Sequence, residues 1–74
     1  MKTSTFITSR ELQILRMIAY EANMREIAEQ LFISHHTVIS HRKRIIQKLK
    51  AKNTAGLIRR AFELGILSVA SSAA

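Results

Sequence analysis

The chain has 74 residues with a net charge of +7; 47% of them are apolar, and there is no Cys, no Pro and only two Gly. A chain of this length makes one domain that buries only about 60% of the surface its unfolded form exposes. It has no room for a cofactor fold beside a substrate domain, and without Cys it carries neither disulfides nor thiolate metal sites.

The lack of Pro and the scarcity of Gly favour helix almost throughout. Thr8-Ser9-Arg10-Glu11 reads as a capping box, and Leu12, Leu15 and Ala19 then recur at helical spacing, so a first helix is expected over about 9–20. Asn23 to Glu26 repeats the capping pattern, and Ile27, Ala28 and Leu31 make a short apolar stripe for a second helix over 24–31. Leu31-Phe32-Ile33 then forms a tight, buried, apolar turn before the cap Ser34. A longer third helix follows over 35–50, with Val38, Ile45 and Leu49 on one face and Ile46 beside them. Asn53 or Thr54 caps a fourth helix over 54–64, and Gly65 stands where a left-handed residue ends it. The expected fold is all-α: one compact four-helix domain over 1–74, with an ordered core at about 6–67 and a frayed tail at 68–74.

Charge is distributed unevenly. Residues 1–33 hold four basic and four acidic side chains, whereas residues 34–74 hold eight basic ones against Glu63 alone. Six of those eight fall between Arg42 and Lys52, with no acid among them. A one-sided basic surface of this kind is the footprint of a polyanion binder. The pattern of a short helix, a tight turn and a longer helix is a helix-turn-helix, whose second helix enters the DNA major groove.

A helical wheel centred on Val38 sorts the third helix. Ile45 and Leu49 fall within about 20° of the core direction, while His36, Ser40, Lys43 and Gln47 cluster within about 40° of the outward direction. Ile39 and Arg44 flank that cluster, and His41 sits between the two faces. No nucleophile–base set, carboxylate pair or glycine-rich phosphate loop is present, so no enzyme activity is expected. His35, His36 and His41 lack the spacing of helical metal ligands, so neither a metal nor another cofactor is expected. The uncharged runs are shorter than the roughly 18 apolar residues of a membrane span. MKTSTFITSR has no apolar stretch for a signal peptide. The expectation is a cytoplasmic protein without a membrane partner or a small-molecule ligand.

Three blocks of residues resemble the LuxR/GerE-type helix-turn-helix domain. They are Ile7-Thr8-Ser9-Arg10-Glu11-Leu12-Gln13-Ile14-Leu15 at the start, Arg25 to Ser34 with Thr37-Val38-Ile39-Ser40-His41 at the centre, and Lys48-Leu49 with Ala61-Phe62-Glu63-Leu64-Gly65-Ile66 at the end. The resemblance covers about Phe6 to Leu67 with every block in order. It implies a sequence-specific regulator of transcription that binds double-stranded DNA and pairs on it, as a weak homodimer, through the last helix. RNA polymerase is a further partner it admits. On this resemblance His36, Ile39, Ser40 and Lys43 are the base-contact residues. Lys43 would donate to guanine acceptors and Ile39 would lie against a thymine methyl. Arg25, Ser34, Thr37, Arg44 and Lys48 are expected on phosphates, and Leu57, Ile58 and Ala61 at the dimer contact. Glu21 and Lys50 stand where the family commonly has Gly, and Ile39 where it often has Lys. The alternatives are a sigma-factor-like promoter-binding domain and a protein-binding adaptor whose basic face meets an acidic partner.

Overall fold

The structure is a computed structural model that describes residues 6–68, so the expected tail lies outside the described residues beyond Ser68. It has four helices, α1 (Ser9–Ala19), α2 (Met24–Leu31), α3 (His35–Leu49) and α4 (Thr54–Glu63), with no strand among the described residues. None of these helices is long and apolar enough to cross a membrane. The expected helices over 9–20, 35–50 and 54–64 each run one residue past the observed end.

Each helix begins at a polar side chain that satisfies an otherwise unpaired backbone N–H. Thr8 Oγ1 accepts from the Glu11 N–H at 3.0 Å while Glu11 Oε1 accepts from the Thr8 N–H at 3.0 Å. Asn23 and Glu26 make the same reciprocal pair, both bonds at 2.8 Å. Ser34 Oγ caps α3 through the Thr37 N–H at 3.0 Å, and Asn53, not Thr54, caps α4 through the Gly56 N–H at 2.9 Å.

The helix ends share one device. After each helix a residue with positive φ turns the chain, at Glu21 (70°), Phe32 (58°), Lys50 (58°) and Gly65 (77°). The N–H of the next residue then reaches back five positions: Ala22 to Met17 O, Ile33 to Ala28 O, Ala51 to Ile46 O and Ile66 to Ala61 O, at 2.9–3.1 Å. These are Schellman closures, which pair two late carbonyls and tuck the following side chain under the helix. Ala22, Ile33, Ala51 and Ile66 are all apolar and packed against the core. Three of the four left-handed positions carry an L-residue other than Gly, at a cost of about 1 kcal/mol each.

Phe32 corrects the reading of the turn. Leu31 stays helical, so the turn is Phe32-Ile33-Ser34, and the Phe32 side chain is 93% exposed rather than buried. A left-handed residue points its Cβ away from the helix it ends. Ile33 supplies the apolar contact instead.

α3 packs against each of the other three helices. Val38, Ile45 and Leu49 from α3 meet Ile14, Leu15 and Ile18 from α1, Ile27 and Ala28 from α2, and Leu57 and Ala61 from α4 in one cluster. Ile7 and Leu67 close it at either end of the described chain. One charged residue is buried with them: Glu11 is 1% exposed. Lys48 Nζ donates to Glu11 Oε1 at 2.8 Å, to Glu11 Oε2 at 3.0 Å and to the Phe6 carbonyl at 2.9 Å. This clamp ties α1 and the segment before it to the C-terminal half of α3.

Burial alone would push the Glu11 carboxyl up. The Lys48 hydrogen bond, the Thr8 N–H and the positive charges of Lys48 and Arg44 outweigh it and hold the carboxyl below its ordinary range. A carboxyl lowered on folding adds stability that is present at neutral pH and lost as pH falls through the lowered value. Glu11→Gln is therefore expected to destabilise the domain by about 2 kcal/mol at pH 7, because it leaves the Lys48 ammonium without its counter-charge. In a domain of this size that lowers Tm by roughly 10 °C. Thermal melts followed by circular dichroism should show the gap from wild type narrowing as the pH drops below the carboxylate range; a constant gap would contradict this account.

Candidate nucleic-acid interface

The charged side of α3 follows from the same periodicity that buries its other side. Val38, Ile45 and Leu49 are buried, so positions displaced by about half a turn must face solvent. His36, Ser40, Lys43 and Gln47 are all exposed, as the wheel requires, and Arg44 is exposed beside them. Ile39 is half-buried at the edge of this face. The helix contains no acidic residue, so nothing on it opposes the field of its own cations.

The N-terminal end of α3 adds hydrogen-bonding groups. Ser34 and Thr37 are exposed, and their hydroxyl oxygens lie 2.8 Å apart. Two hydroxyls sharing one such bond leave one O–H to donate outward. Arg25 is exposed in the first turn of α2. Ser34, Thr37 and Arg44 at α3, and Arg25 on α2, are therefore all accessible donors.

Lys48 does not belong with them. An ammonium has three N–H donors, and all three of Lys48 are used on Glu11 and the Phe6 carbonyl. Expected on a phosphate, Lys48 instead has its donors engaged within the fold, where it secures α3 rather than extending the exposed face. A signal for this was present in the sequence, because Glu11 shares a helical stripe with Leu15 and Ile18 and so had to be buried with some partner.

The expected dimer contact also changes. Leu57 and Ala61 are 0% exposed and belong to the domain's own core, so they have no surface to offer a second copy. Ile58, half-buried and packed only against the edge of the core, retains an accessible flank, and Phe62 one turn later is 39% exposed. Those two are the large apolar side chains that α4 presents.

Two residues gain roles that composition did not disclose. Arg42 Nη1 donates to Thr54 Oγ1 at 3.1 Å, which fixes the start of α4 against the middle of α3. Arg60 Nε donates to the Leu49 carbonyl at 3.0 Å, closing the end of α3 from α4. His41 is half-buried, and its Nδ1 and the Arg42 Nε lie buried without a hydrogen-bond partner among the described residues. A separate open groove of about 660 Å³ runs between α1 and α2 past Leu12, Arg16, Met17 and Leu31. With one cation on its walls it lacks the charge density of the α3 face.

Comparison with known proteins agrees with this architecture. The family model for bacterial regulatory proteins of the luxR family matches residues 5–61. The chain is 45% identical over 62 residues to the transcriptional regulatory protein MctR of Rhizobium johnstonii, covering 84% of this chain and 29% of that protein. It is 41% identical over 61 residues to the oxygen regulatory protein NreC of Staphylococcus carnosus, covering 82% of this chain and 28% of that one. Among solved structures it is similar to the response regulator ChrA of a heme-sensing two-component system, with a TM-score of 0.79 and 31% identity over 82% of this chain and 30% of that one. The chain thus spans less than a third of the length of these relatives. Four capped helices, a helix-turn-helix at their centre and a family match over most of the sequence lead to one conclusion: this chain belongs to the luxR family of bacterial regulatory proteins.

Proposed function

We propose that the domain is a transcription regulator's sequence-specific reader of double-stranded DNA, working in the cytoplasm. The observation that carries this reading is the exposed, acid-free face of α3, held rigid by a buried face on the same helix. Laid in the major groove, that face brings His36, Ile39, Ser40 and Lys43 to base edges. Arg25, Ser34, Thr37 and Arg44 then reach phosphates on either side, which sets register without carrying sequence information. The match to the luxR family favours this over a sigma-factor-like domain. An adaptor that places the same cations on an acidic protein is the reading the experiment must separate.

Pairing on DNA through α4 is part of the proposal, with Ile58 and Phe62 as the apolar contact and two α3 helices reading half-sites about one turn of DNA apart. Two side chains are a small interface, so the chain should be a monomer in dilute solution by sedimentation and pair only when DNA is added. Ile58→Glu should preserve the fold and abolish the paired complex; a stable dimer without DNA would contradict this arrangement. RNA polymerase is a further partner consistent with a regulator of this family.

Selection of duplexes from a random library should yield a repeated motif that keeps its advantage over a scrambled duplex as salt rises. Lys43→Ala should cost about 1–3 kcal/mol on the selected duplex and relax the choice of base at one position. Ser40 and Ile39 substitutions should change which sequence is selected, an effect an adaptor would not show. Arg44→Ala should weaken both duplexes alike and lower the salt slope by about 1. If nothing is enriched and both duplexes weaken identically with salt, the charge binds phosphates without reading bases and the proposal fails.

A further inference from the structure

We propose that the open groove between the C-terminal end of α3 and the first two turns of α4 holds backbone phosphates of duplex DNA beyond the bases that α3 reads, with Lys50 and Lys52 as the phosphate ligands. This rests on the DNA-binding reading above and extends its footprint.

The groove has a volume of about 360 Å³ and is lined by Lys50, Lys52, Asn53, Gly56, Arg59 and Arg60. Its two arginines are already engaged: they lie 3.6 Å and 3.5 Å from the Glu63 carboxylate, and Arg60 also donates to the Leu49 carbonyl. Lys50 and Lys52 are exposed and meet no acid among the described residues. Lys50 and Lys52 therefore line the same opening without an acidic partner among the described residues.

The backbone at Lys50 points the same way. Its φ of 58° is one that Gly adopts freely and an L-residue only at a cost of about 1 kcal/mol. The side chain gives nothing back to the core, because it is exposed. A long cation kept at a position where Gly would be more stable is the kind of local strain that accompanies a functional contact. Gly56 adds no side chain to the groove wall, where a Cβ would stand 3.4 Å from Asn53 Oδ1.

Position identifies the occupant. Lys50 is the left-handed residue that follows α3, so the groove opens at the C-terminal end of the helix that carries the acid-free face. Duplex DNA carries one negative charge per about 1.7 Å of its axis, so a duplex resting on Ser40 and Lys43 presents further phosphates beyond those residues. An acidic protein has no such reason to be found in line with the reading face.

The test uses the double variant Lys50→Gly, Lys52→Gln. Gly relieves the left-handed strain, so the variant should melt at or above the wild-type temperature, and any loss of binding cannot be a loss of fold. Affinity for the duplex selected by the wild type, and for a scrambled duplex, is measured against salt concentration. The expected result is a log–log salt slope smaller by about 2, at roughly 0.9 per phosphate, with the preference for the selected duplex unchanged. A wild-type slope in the variant would overturn the inference while leaving DNA reading by α3 intact. A changed preference between the duplexes would overturn it too, since it would mean base contact. Failure of the wild type to bind any duplex would remove the DNA reading and this extension together. Inorganic phosphate added without DNA should leave the amide signals of residues 50–56 in place; if it moves them, the groove is a site for free phosphate and the assignment to a duplex backbone is wrong.

Discussion

The contact on which the arrangement depends is the ion pair between the buried Glu11 carboxylate and the half-buried Lys48. A segment with five cations and three histidines among residues 35–50 has strong reasons to stay in water, and a small core resists its own electrostatic repulsion weakly. Lys48 turns one of those charges inward. By donating to both oxygens of the Glu11 carboxylate and to the Phe6 carbonyl, it fastens the C-terminal half of α3 to α1. A partly buried pair of this kind adds less than its Coulomb attraction, because both ions lose water. What it contributes is position: Glu11 cannot be satisfied unless α3 lies in one register, and the outward face of α3 is set by that register.

The helix ends show a second constraint. A chain this short with four helices must turn sharply three times, and each turn uses the same left-handed residue followed by an apolar side chain that packs under the helix. Glu21, Phe32 and Lys50 hold conformations that Gly would adopt at lower cost, so the closures are maintained by the apolar residue after each of them and by the backbone bonds they make. The caps at the other ends, Thr8, Asn23, Ser34 and Asn53, complete a scheme in which the beginning and end of every helix are specified locally. Local consistency of this sort favours one fold even where the core is small.

Much of this was legible from residue types alone. The caps are short polar side chains with Glu three positions on in two cases, and the apolar spacing predicted all four helices with ends no more than one residue away. The Phe32 turn was not legible, because an aromatic residue gives no sign that it will take a left-handed conformation and leave its ring in water. The outward face of α3 could be read from the wheel, since it depends only on which residues must be buried. Lys48 could not be separated from its exposed neighbours that way, because it sits near the boundary between faces and its fate depends on a carboxylate 37 positions earlier. Leu57 and Ala61 were misplaced for a related reason. One apolar stripe on α4 serves the core, and only the positions beside it, Ile58 and Phe62, remain for a partner.

In the proposed function, a helix anchored on one side reads DNA with the other. Amide chemical shifts of the isotopically labelled chain, followed during titration with a duplex obtained by selection, test it most directly. The largest changes should fall on the exposed positions between Ser34 and Arg44, with smaller ones at Arg25, while the groove between α1 and α2 around Leu12, Met17 and Leu31 stays unperturbed. Changes concentrated in that groove, or a pattern identical for a scrambled duplex, would contradict it.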